Sequence, residues 1–181
     1  LKQRSFFSLI MSILQQVIGY VSLYFVSRYM GPEPLGIVSS ALAFCMVFMS
    51  FGDLGYGIAH VKKVSEGKDL SKCTATFFVI KLVLTIIIGI ASVSMFYYLK
   101  LTDKKLPLPE EYTLIFFIIL ISQLLGNLAL SFQYTFAARL EKAKEWTSLI
   151  SAKIVTSFFR TLTAITGIGV VFLAWSNFVG M

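Results

Sequence analysis

Runs of roughly 20 or more apolar and small residues follow one another along this chain, separated only by short clusters of charge. At 1.5 Å of rise per residue, an α-helix of that length crosses about 30 Å of hydrocarbon. A soluble domain of this size has too little interior to hide several such runs. Composition agrees, with 57% hydrophobic and 14% charged residues, against about 25% charged in an ordinary soluble domain. Seventeen Phe and eight Tyr are present, yet no segment alternates apolar and polar residues as a membrane β-barrel strand must. The expected fold is all-α, a polytopic transmembrane helical bundle.

Five spans are predicted at about 5–27, 36–59, 74–98, 112–137 and 146–166, with the start of a sixth at about 170–181. Gly31, Pro32 and Pro34 break the chain between the first two. The segment KLTDKKLPLPEE reads as an exposed loop between the third and fourth. The chain begins at Leu1 and stops inside an apolar stretch, which reads as a piece of a longer protein. Nine basic residues, among them Lys62, Lys63, Lys68 and Lys72, fall on one side of these spans and four on the other. Because Lys and Arg gather in cytoplasmic loops, the N-terminus is expected in the cytoplasm of a cell whose cytoplasmic membrane the chain spans. The net charge of +7 is thus a topology signal, and no nucleic-acid partner is expected. Cys45 and Cys73 lack CxxC spacing and a His cluster, so no disulfide framework, metal site or cofactor is indicated.

Three basic residues, Lys81, Lys153 and Arg160, fall inside predicted spans. A charge in hydrocarbon costs about 2.5–3.5 kcal/mol even on the lenient insertion scale, so each needs a partner, a polar cavity or a route to the interface. Lys153, Ser157 and Arg160 stand at i, i+4 and i+7 and therefore share one helical face. Arg160 lies about 14 residues beyond Trp146, roughly 20 Å in, which makes snorkelling costly for it; Lys153 is shallower and can snorkel or line a cavity. The same two readings apply to Lys81, whose helix carries Thr74, Thr85, Gly89 and Ser92 on a related face. Gln123 and Asn127, with Ser131 and Tyr134, form a polar face on the fourth span; they line a cavity or bond between helices. Asp53 in FGDLGYG is expected near the end of the second helix, paired with Lys81 or Lys153, carrying a coupling cation such as H+ or Na+, or steadying the basic loop that follows. His60 reads as interfacial. No catalytic constellation is present, so the chain is not expected to be an enzyme.

The stretch SRYMGPEPLGIVSSALAF followed by FGDLGYGIAHVKKVSEGKDLSK resembles the opening helices of oligosaccharide flippases. These form the polysaccharide-export or O-antigen-translocase branch of the multidrug/oligosaccharidyl-lipid/polysaccharide exporter superfamily, and AHVKKVSEGKDL is most similar to archaeal members. The resemblance implies most of one N-terminal lobe of a two-lobed fold. It also implies alternating-access movement of polyprenol- or dolichol-linked glycans through the membrane lipid, without ATP hydrolysis. Arg160, Lys153 and Lys81 fit the anionic phosphate of such a substrate. A multidrug exporter of the same superfamily would be expected to hold carboxylates instead, and a membrane scaffold would use the charges to pair across an interface.

Overall fold

The structure is a computed structural model that describes residues 2–102, 112–139 and 142–179. Seven helices account for nearly all of them: α1 Lys2–Met30, α2 Pro32–Met49, α3 Tyr56–Ser65, α4 Leu70–Leu101, α5 Thr113–Ala138, α6 Lys142–Thr166 and α7 Val170–Val179. No strand occurs among the described residues. All but α3 and α7 are long and apolar enough to cross a membrane. Residues 103–111, most of the charged loop expected between the third and fourth spans, lie outside the described residues, as do 140–141 and the last two residues of the sixth run.

Helices α2, α3, α4 and α7 pack on α5, while α1 runs along α6, and α6 also meets α5 and α7. Where α4 ends and α5 begins, the rings of Phe96 and Phe116 stack at 4.2 Å, and Phe44 of α2 meets Phe116 edge-on at 5.5 Å. Ala41 and Cys45 are small enough to let α2 close against these rings, and both are fully buried. Outward-facing side chains such as Phe6, Tyr24, Val79 and Ile90 are exposed, the pattern of helices whose outer surface meets lipid.

The second helix departs from its predicted extent. It ends at Met49, ten residues short of the expected 59. Phe51 and Gly52 tighten the chain by donating to the carbonyls of Phe48 and Met49. Leu54 and Gly55 then take positive φ of 45° and 83°, which turns the chain into the separate helix α3. Apolar character continues through the turn, so hydrophobicity alone runs the two elements together. The Asp53 carboxylate accepts from the Gly57 N–H at 3.2 Å and so closes the first turn of α3.

His60 of α3 is buried against its neighbours. Its ring lies 4.6 Å from that of Phe77 on α4 and parallel to it, and Nε2 is 3.2 Å from Thr135 Oγ1 on α5. The imidazole therefore pins α3 to both neighbours. Burial depresses its pKa below the ordinary 6.5, a backbone hydrogen bond with Cys73 opposing in part. Once α3 is released, the ring binds a proton more readily than when docked, so docking is undisturbed above about pH 6.5 and weakens as pH falls below it. Cleavage of the α3–α4 segment by an added protease should accelerate between about pH 7 and pH 5 in the wild type and stay flat in His60→Gln. Equal pH profiles for the two proteins would refute the assignment.

Candidate functional site

Two groups of polar side chains lie within the bundle, and they differ in whether their charges are answered. The first is built on Lys81, which is completely buried in the first half of α4. Its Nζ reaches Asp53 Oδ1, the Gly52 carbonyl and Asn127 Oδ1, each at 3.0 Å, and sits 5.9 Å from the centre of the Tyr134 ring. An ammonium has three N–H donors and no acceptor, so these three oxygens satisfy it completely. The requirement also orients Asn127, which turns Oδ1 to Lys81 and donates from Nδ2 to Thr85 Oγ1 at 2.9 Å. Gly52 offers its carbonyl because α2 has already ended. Lys81 thereby ties the α2–α3 turn to α4 and α5. Neither snorkelling nor cavity lining describes it, and Asn127 belongs to this latch as well. Asp53 pairs with Lys81 rather than Lys153.

The second group surrounds a cleft between α1, α5, α6 and α7. One part, about 450 Å³, is bounded by Gln15, Gln16, Gly19 and Tyr20 of α1 with Lys153 and Arg160 of α6. A second part, about 320 Å³, shares Gln15, Lys153 and Arg160 and adds Gln123 and Gln133 of α5 and Asn177 of α7. Arg160 also borders a smaller apolar hollow beside Leu23, Leu42 and Leu173. The i, i+4, i+7 spacing thus points Lys153 and Arg160 at one space, while Ser157 between them is buried in the packing. Gln123 faces this cleft, one turn before Asn127 faces the latch.

Gly19 makes the cleft possible locally. The Lys153 side chain lies across it, and a Cβ at that position would come within 3.0 Å of Lys153 Cε. Arg160 donates from a terminal nitrogen to Asn177 Oδ1, and its Nε is buried with no hydrogen-bond partner among the described residues. None of the described residues that line the three spaces is acidic. Among the described residues the surroundings are amides, hydroxyls and apolar groups, so within them the cleft presents two cations with no carboxylate to match. Gln15, Gln133 and Asn177 were not singled out as cavity residues by the sequence. Gln15 and Gln133 carry only a helical-face signal, and Asn177 stands in a short apolar helix where a lone amide carries little weight.

Among the described residues no three His, Cys, Asp or Glu side chains gather to hold a metal. Both cysteines are free.

Lys81→Met should destabilise the protein by about 3 kcal/mol, the low end for breaking a buried ion pair, because Asp53 retains some access to water. Adding Asp53→Asn should recover part of the loss by removing the stranded charge. Melting of the purified protein in detergent measures both, and an unchanged midpoint in Lys81→Met would remove Lys81 as the latch.

The whole chain, residues 1–181, matches the profile of a family described as polysaccharide biosynthesis protein. Comparison with curated proteins and with solved structures finds no match in either set. The family agreement over the full length, together with five helices able to cross a membrane, identifies the chain as a multi-pass membrane protein of the transporter type that belongs to the polysaccharide biosynthesis protein family.

Proposed function

We propose that the cleft lines the route by which the phosphate or pyrophosphate of a polyprenol- or dolichol-linked glycan crosses the cytoplasmic membrane during alternating access. One observation carries this reading: among the described residues Arg160 and Lys153 share a polar cleft without a carboxylate, and Arg160 keeps a buried N–H free of partners. Two cations in a low-dielectric cavity attract an anion strongly. The planar guanidinium offers paired donors to phosphate oxygens, while Lys153 adds a compact charge on the same side. The glutamines and Asn177 suit sugar hydroxyls, being both donors and acceptors. A cationic drug would meet repulsion here, which disfavours the multidrug alternative. In this reading the chain is not an enzyme: it moves its substrate without making or breaking a bond. Asp53, already matched by Lys81, takes no part in the route.

Arg160→Ala should reduce glycan delivery to the outer face by at least about tenfold, the loss of one charge-assisted contact, while leaving insertion unchanged. Arg160→Lys should keep part of the activity, since charge survives without the planar fork. Delivery is measured in cells expressing the full-length protein and normalised to inserted protein. Normal delivery by Arg160→Ala would end the phosphate-route reading.

The proposed orientation places the N-terminus and the Lys62–Lys72 segment in the cytoplasm, following the excess of basic residues on that side. Single cysteines introduced at Lys63 or Lys68, in a background lacking Cys45 and Cys73, should resist an impermeant maleimide in intact cells and react once the membrane is opened. Labelling in intact cells would reverse the orientation.

A further inference from the structure

At the junction of α3 and α4 lies a cavity of about 200 Å³ outside both polar groups already described. Lys63 from the end of α3, Lys68 from the connection and Lys72 from the first turn of α4 stand around its mouth, and His60 and Phe77 contribute to its lining. None of the three lysines has a carboxylate within 4 Å among the described residues, whereas Lys62, one position away and outside the cavity, is 3.9 Å from Glu66. Ala59 and Ile80 give the same space apolar walls. Three unmatched ammoniums over an apolar recess is the complement of an anion attached to something greasy.

The depth of the cavity follows from helix length. Helix α4 has 32 residues, or roughly 48 Å at 1.5 Å per residue, well beyond the about 30 Å of hydrocarbon. With the apolar run of α4 beginning at about Thr74, its first turn, Leu70 to Cys73, would stand in the headgroup layer of a bilayer. The preceding turn and α3 expose Phe51, Leu54, Tyr56 and Ile58, apolar anchors of the kind that settle a short helix at the interface. In a bilayer the cavity's three lysines would then meet phospholipid phosphates, with Ile80, about two turns further along α4 than Lys72, toward the acyl chains.

From this geometry we infer that the α3–α4 cavity is a binding site for an anionic phospholipid, whose phosphate is held by Lys63, Lys68 and Lys72 and whose glycerol end lies against Ala59 and Ile80. Basic pockets between helices at the membrane surface are well suited to such headgroups. The site is independent of the cleft and of the transport reading; it requires only that the chain sit in a bilayer. A bound lipid would also cover the face of α3 that His60 anchors, joining headgroup occupancy to the docking of α3.

The test titrates the full-length protein in neutral detergent with short-chain phosphatidylglycerol, phosphatidylcholine or inorganic phosphate, read by native mass spectrometry. Wild type should retain phosphatidylglycerol in preference to phosphatidylcholine. Combined Lys63→Gln, Lys68→Gln and Lys72→Gln should weaken phosphatidylglycerol binding by about fivefold for each ammonium removed. Lys62→Gln, on the same helix but outside the cavity, should bind as the wild type does. The three lysines are exposed; the single change Lys68→Gln, outside either helix, must show its share of the loss and keeps the test independent of folding. Undiminished binding in the combined variant or in Lys68→Gln would overturn the site. Inorganic phosphate binding as tightly as phosphatidylglycerol would overturn its assignment to a lipid.

Discussion

An ammonium sealed completely from water and from any cavity needs an acceptor for each of its N–H groups, and the geometry around Lys81 follows from that fact. Three oxygens must converge on one nitrogen, but a regular helix spends its carbonyls on its own hydrogen bonds. The chain supplies the missing acceptors by ending α2 at Met49, which frees the Gly52 carbonyl and brings Asp53 round to the same point. The same carboxylate caps α3 through Gly57. A single buried charge therefore sets where α2 ends, where α3 begins and how Asn127 is turned. The placement of α3, of His60 against Phe77 and of the lysines beyond it all descend from that turn.

Arg160 is handled in the opposite way. It too sits within an apolar span, yet the partner recorded for it is a neutral amide, Asn177, and its Nε has none among the described residues. Lys153 lies close by, also without a carboxylate among the described residues. Electrostatics alone would drive these two side chains apart or toward an anion; packing keeps them at one cleft, with Gly19 leaving room for the lysine stem. A cation with every donor matched thus stands beside one with a donor to spare among the described residues.

Much of this was legible in the residues. Run length and the prolines at 32 and 34 located the helices that cross the membrane, and the i, i+4, i+7 spacing put Lys153 and Arg160 on one face. What helical periodicity does not carry is rotation of one helix against another, so the pairing of Asp53 was open between Lys81 and Lys153. Gln123 and Asn127 looked equivalent for the same reason, although the 40° that separates residues four apart on a helix sends one to the cleft and the other to the latch. The end of α2 was hidden by apolar residues that persist through Phe51, Leu54 and Ile58. The signal that marks it is the order Asp, two residues, then Tyr and Gly, in which a carboxylate precedes free N–H groups as a helix cap does.

The distribution of stacked rings has a mechanical consequence. Every ring pair that joins two helices among the described residues links α2, α3, α4 and α5; those of α1, α6 and α7 lie within a single helix. Interlocked rings resist shear because they must unstack before they slide, whereas Ser, Gly and Ala surfaces glide. Stiffness is thus concentrated on one wall of the cleft and compliance on the other, where α1 and α6 are joined by contacts such as the one from Trp146 to Ser8. Any change in cleft width would meet least resistance as a tilt of the α1–α6 pair against the aromatic block.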